Sequence, residues 1–156
     1  MRNILTKAFI GLAIMSIGMF GANNSIGTWK MNVAKSKSTP ADSNPIKSQT
    51  LVREAIDGGV KVTSTGERQD GTAINSSSSV KYDGKEYPYT GAAWDTISMK
   101  QIDANTFTNE VKKTGGKYHT TGRIVISKDG KTMTIKSKGA NAEGKPSSAT
   151  LILEKQ

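Results

Sequence analysis

The stretch AIDGGVKVTSTGERQDGTAINSSSSVKYDGK, residues 55–85, decides the fold. Asp-Gly occurs in it three times, at Asp57-Gly58, Asp70-Gly71 and Asp83-Gly84, each step thirteen residues after the last. Asp-Gly supplies the positive φ angles that tight hairpin turns require. Between the turns Val60 and Val62, then Ile74, Val80 and Tyr82, share a parity, as in strands that bury one face. The spacing predicts strands of about eight to ten residues, longer than the usual ~5–6.

The rhythm continues outward. Downstream turns are expected at Asp103-Ala104-Asn105, Thr114-Gly115-Gly116, Asp129-Gly130 and Asn141 to Lys145. Strands between them are marked by Ile97 and Met99, Phe107 and Val111, Tyr118 with Ile124 and Ile126, Met133 and Ile135, and Leu151 to Leu153. Upstream, Trp29, Met31 and Val33 alternate in a first strand, and Leu51, Val52 and Ile56 mark a second. A short strand is expected near Tyr87 to Thr90. No segment of 23–156 has helical period. The class is therefore all-β, an up-and-down antiparallel meander closing into a barrel of about 8–10 strands. Ala34 to Ser48, with Pro40 and Pro45, reads as a long loop over one end. Thr72 to Ser79 is polar for a strand, which a wet barrel interior or an exposed edge would tolerate.

The first residues read differently. Arg2 and Lys7 flank the start, Ala8 to Phe20 is apolar, and the chain turns polar at Asn23. An apolar run of this length suits a signal peptide and falls short of the ~20 residues that span a bilayer. The expectation is a cleaved signal peptide over 1–22, one barrel domain over 23–156, and a periplasmic or secreted location. The chain has no cysteine, which excludes disulfides, thiolate metal sites, a cysteine nucleophile and a cysteine-linked lipid anchor.

The net charge is +9, and only two of the basic residues lie in the first 22. Such an excess favours anionic surfaces. The lysines are scattered, however, and no run resembles a nucleic-acid tract. Weak contact with an anionic envelope surface is the expectation, with no nucleic-acid partner and a monomeric state.

Gly27-Thr28-Trp29, opening a meander of about ten strands, resembles the G-x-W motif of the lipocalin and fatty-acid-binding-protein (calycin) superfamily. The resemblance implies a barrel whose floor is closed by Trp29, with Gly27 allowing a tight start. It also implies that one of Arg53, Arg68 and Arg123, with Arg123 the best placed as a late-strand arginine, stacks on Trp29 or faces inward toward an anionic ligand. Thr150 to Lys155 is similar to the closing strand of fatty-acid-binding proteins. Those proteins place an Arg and a Tyr there to hold a carboxylate, and the matching positions here are Leu151 and Leu153. The usual two-helix lid is replaced by the Ala34 to Ser48 segment. The chain also resembles small exported bacterial proteins through Gly27 to Lys37, Tyr82 to Lys85, Tyr87-Pro88 and Ser127 to Thr134, a resemblance that implies no activity.

Candidate site residues follow from the aromatics. Tyr82, Tyr87, Tyr89 and Trp94 cluster around Pro88 and suit a barrel rim that binds by stacking. Met99, Phe107 and Tyr118, with Arg123, complete the expected ligand-binding set; each also reads as ordinary strand or core. His119 is the sole histidine. It reads as an outward strand residue, with haem binding or general-base chemistry as the remote alternatives. No metal-loop, phosphate-loop or G-x-S-x-G pattern is present. No cofactor, metal or catalytic residue is expected. The sequence thus points to a non-catalytic carrier or binding protein for a small, partly apolar ligand. The alternative is an envelope-associated interaction protein that uses its basic surface.

Overall fold

The computed structural model describes residues 22–156. The expected signal peptide, Ala22 apart, lies outside the described residues. Eleven strands follow in chain order: β1 Gly27–Met31, β2 Lys37–Thr39, β3 Ile46–Ile56, β4 Gly59–Arg68, β5 Ala73–Lys81, β6 Tyr87–Pro88, β7 Thr96–Asp103, β8 Thr106–Lys112, β9 His119–Ile126, β10 Thr132–Ala140 and β11 Pro146–Lys155. All neighbours pair antiparallel. Gly58, Gly71, Gly84 and Gly130, the second residues of the four Asp-Gly steps, have φ of +68°, +87°, +75° and +70°.

The sheet order is β5-β4-β3-β1-β11-β10-β9-β8-β7-β6, with β2 on β11. This is a meander in which the first strand sits between the third and the last. The sheet curls until its edges meet: Ser77 and Thr90 exchange backbone hydrogen bonds of 3.0 and 3.1 Å, and Gly84 N–H donates to Met99 O at 3.0 Å. The result is a nearly closed barrel.

The segment after β1 differs from the expected loop. Val33–Lys35 forms a single 3-10 turn capped by Asn32, whose side chain accepts from Lys35 N–H at 3.1 Å. β2 then resumes pairing with β11, Thr39 opposite Ser148 and Lys37 opposite Thr150. β1 and β2 are thus one strand broken by a turn. The cause is local, since the Asn32 cap and Ser36, whose Oγ donates to Asn32 O at 2.8 Å, satisfy the turn's backbone.

Inward residues alternate with outward ones along each strand, as a barrel wall requires. The core holds Trp29, Leu51, Val60, Val62, Val80, Ile97, Met99, Phe107, Val111, Ile124, Ile126, Met133 and Leu153. The polar strand β5 faces inward with Ser76, Ser78 and Val80. Its serines are satisfied inside: Ser78 Oγ donates to Pro88 O at 2.8 Å and Ser76 Oγ meets Tyr89 Oη at 3.3 Å.

Candidate functional site: the barrel interior

One end of the barrel is a packed floor. Trp29 is fully buried there, with Nε1 donating to Ser25 O at 2.9 Å. Phe107, Met133, Leu153, Val60 and Val80 fill the same end. The segment before β1 crosses beneath them. Asn24 N–H donates to Ala104 O at 3.0 Å in the turn between β7 and β8.

Arg53 of β3 stands on this floor. It shares parity with Leu51 and Gln49 and is opposite Val62 of β4, so its side chain points inward, and it is 2% exposed. Its Nε donates to Ser25 Oγ at 3.1 Å; Ser25 Oγ donates to Asn23 Oδ1 at 2.6 Å; Asn23 Nδ2 donates to Tyr82 Oη at 2.7 Å. Its Nη2 reaches the weak acceptor Met99 Sδ at 3.8 Å, and the guanidinium lies 5.6 Å from the Phe107 ring centroid. Among the described residues it forms no ion pair. Burial pulls the Arg53 guanidinium down from its ordinary value, and Tyr82 and Tyr89 pull it back up.

Above the floor lies a cavity of about 180 Å³. Arg53, Met99, Ile124 and Leu153 line it on the floor side, Leu51, Ile97 and Val111 stand higher on its wall, and Gln49, Ser64, Thr120 and Ser137 give its sides a polar share. Tyr89, Trp94 and Tyr118 line its far end. Trp94 lies between the two tyrosines, at centroid distances of 5.4 Å to Tyr89 and 5.2 Å to Tyr118. Burial pushes both tyrosine hydroxyls up from their ordinary value; at Tyr89 the Ser76 hydrogen bond and the Arg53 charge oppose it. Two polar atoms of the lining residues have no hydrogen-bond partner, Trp94 Nε1 and Asn109 Oδ1. Gly91 (φ +77°) lets the loop that carries Trp94 close on β5; a Cβ there would stand 2.0 Å from Asn75 O.

The structure brings together Tyr89, Trp94, Met99 and Tyr118 of the expected set around this cavity. Tyr82 and Phe107 pack beneath it, with ring centroids 5.4 Å apart. Tyr87 sits at the outer rim, its hydroxyl donating to Asp83 Oδ2 at 2.8 Å. Arg123 is a correction. It is exposed on the outer face of β9, because it has the opposite parity to the buried Ile124 and Ile126. The inward arginine is Arg53. Among the described residues no arginine stacks on Trp29; Lys155 of β11 does, its Nζ 5.2 Å from the ring centroid. The register sets this, since Trp29 pairs directly with Lys155. Gly27 carries φ +134°, and a Cβ on it would stand 2.9 Å from the Lys155 side chain.

The outer face of β7 to β10 forms a separate open concavity of about 640 Å³, with Lys100, Arg123, Lys136 and Lys138 along it. His119 is exposed at the end of β9, with Nε2 2.8 Å from Glu110 Oε1. Among the described residues no three His, Asp or Glu side chains gather as a metal site.

No family model matches the chain, and no curated protein matches it. Among solved structures the chain is similar to the structure of EF1p2_mFAP2b bound to DFHBI, at 11% identity and a TM-score of 0.47, over 85% of this chain and 94% of that one. It is also similar to a redesigned beta barrel, mFAP1, bound to DFHBI, at 15% identity and a TM-score of 0.40, over 82% of this chain and 94% of that one.

Proposed function

We propose that this chain is an exported, non-catalytic barrel that binds or carries a small, partly apolar ligand in its interior. The observation that carries the reading is the internal cavity of about 180 Å³, with a mostly apolar wall, a polar flank and three aromatic rings at its far end. Ligand sites combine a mostly apolar surface with a few placed polar groups in this way. Export rests on the charged start and the apolar run from Ala8 to Phe20.

The test is native mass spectrometry of the protein purified from its host's exported fraction, with extraction of any bound molecule. A stoichiometric adduct is expected, on a chain that begins at or near Asn23. A clean apo mass that stays clean when small aromatic compounds are added would overturn the carrier reading.

A second reading draws on the outer concavity, where Lys100, Arg123, Lys136 and Lys138 meet Glu110 as the acidic residue of the lining. It makes the protein an envelope-associated interaction module. Adsorption to anionic vesicles that disappears between low and physiological salt, and with Lys136→Glu/Lys138→Glu, would favour it.

A further inference from the structure

A buried cation without an anion is an unusual thing to keep. Removing a charge from water costs several kcal/mol even after relaxation, so buried charges are normally paired. Arg53 is buried in a cavity wall, and its contacts are a hydroxyl, a thioether and an aromatic face. None of these brings a negative charge. Guanidinium does not shed its proton in proteins, so the positive charge persists. Five N–H donors are available; Nε is taken by Ser25, Nη2 reaches the Met99 sulfur, and the neutral Tyr82 hydroxyl lies beside the group.

The Ser25–Asn23–Tyr82 relay fixes the guanidinium from below. The cavity therefore presents a held, desolvated cation at its floor and stacked rings at its far end. Its size bounds the occupant. A cavity of ~150 Å³ takes a benzene ring, whereas drug-sized ligands occupy ~300–1,000 Å³.

Resting on the proposed binding role, we infer that the cavity takes a compact, single-ring organic anion whose carboxylate pairs with Arg53 while its ring lies beneath Tyr89, Trp94 and Tyr118. The pairing differs in place from a clamp on the closing strand, where Leu151 and Leu153 stand. It uses β3, the first long strand of the meander. Arg–carboxylate pairs gain geometric fit as well as charge, since two parallel N–H···O bonds form.

The test is calorimetric titration of the full domain with benzoate, its neutral isostere benzamide, and hexadecanoate, repeated on Arg53→Met. Benzoate is expected to bind the native chain at least about tenfold more tightly than benzamide, and Arg53→Met to lose about a hundredfold for benzoate but little for benzamide. Circular dichroism checks that Arg53→Met folds. If it does not, the benzoate–benzamide comparison on the native chain decides alone. Equal binding of benzoate and benzamide would overturn the charge inference and leave the binding role standing. Preference for hexadecanoate over benzoate would overturn the single-ring size. Binding of none of the three would overturn both. Benzoate affinity unchanged in a folded Arg53→Met would place it on the surface lysines and overturn the site.

Discussion

The two ends of this barrel are built from the same strands but filled differently. At the floor, Trp29, Phe107 and Met133 are fully buried and lie outside the cavity's lining, and the segment through Asn23 to Ser25 seals them from below. At the mouth, Tyr89, Trp94 and Tyr118 are only partly buried, a cavity remains, and two polar atoms lack partners. Packing to full density stabilises; an incompletely filled, incompletely satisfied region loses dispersion contacts and hydrogen bonds. On the proposed function, the packed end holds the fold and the open end recognises the ligand. The chain's two tryptophans mark the ends, Trp29 at the floor and Trp94 at the mouth.

The largest contrast is expected from Phe107→Ala. It opens a void in the floor and should cost about 3–5 kcal/mol, read as a fall in the denaturant midpoint with an unchanged slope. A loss below ~1 kcal/mol would mean the floor is not the stabilising end. Next is Ser25→Ala, which leaves Arg53 Nε without its acceptor and Asn23 Oδ1 with only the backbone N–H of residue 25. Urea melts should show a loss of about 1–3 kcal/mol.

A smaller effect is expected at the mouth. Trp94→Phe deletes an N–H that has no partner, and this offsets much of the lost apolar area, so stability should move by no more than about 1 kcal/mol. The same variant should abolish any ligand-induced change in tryptophan emission, whereas Trp29→Phe should keep it. Retention in Trp94→Phe would place the ligand away from the mouth.

Acid should not distinguish the ends at all. Asp83, Asp103 and Asp129 serve floor turns, and Asp70 and Asp95 serve mouth turns. All are held below the ordinary 3.8, by backbone N–H donation from Lys85 at Asp83, Asn105 at Asp103 and Thr114 at Asp95, and by side-chain bonds from Ser127 at Asp129 and Thr72 at Asp70. A depressed carboxyl adds stability above its unfolded value, and that stability is lost as pH falls through the folded one. Stability to urea should therefore be level from pH 7 to 5 and decline below about pH 4, with Trp29 and Trp94 emission changing together. Earlier loss of the Trp94 signal would mean the mouth unfolds by itself.

The barrel was legible because its turns are chemical. Asp57-Gly58 and its repeats state where strands end, and Val60-x-Val62 states which way they face. The aromatic rim was legible in part: Tyr89, Trp94 and Tyr118 share the cavity, while Tyr87 turns to Asp83. Arg53 does not stand out among Arg53, Arg68 and Arg123 in the sequence, and the reason is local. It follows Leu51-Val52, where both parities carry an aliphatic residue, so alternation there does not choose a face. Arg123 was overvalued because family position outweighed its parity against Ile124 and Ile126. Lys155 over Trp29 depends on the register between first and last strands, which no local pattern encodes. The broken strand β1–β2 was hidden by Pro40 and Pro45, which read as loop although the pairing ends just before them.

That first-to-last pairing also fixes the order of events in folding. Trp29 meets Lys155, and the floor is incomplete until β11 lies beside β1. The hairpins from β3 to β5 and from β7 to β11 can form from local contacts, but the ring between them shuts only when β11 joins β1. Closing so long a loop is slow relative to hairpin formation. The barrel must therefore stay open during synthesis until β11 has been made and can be laid beside β1.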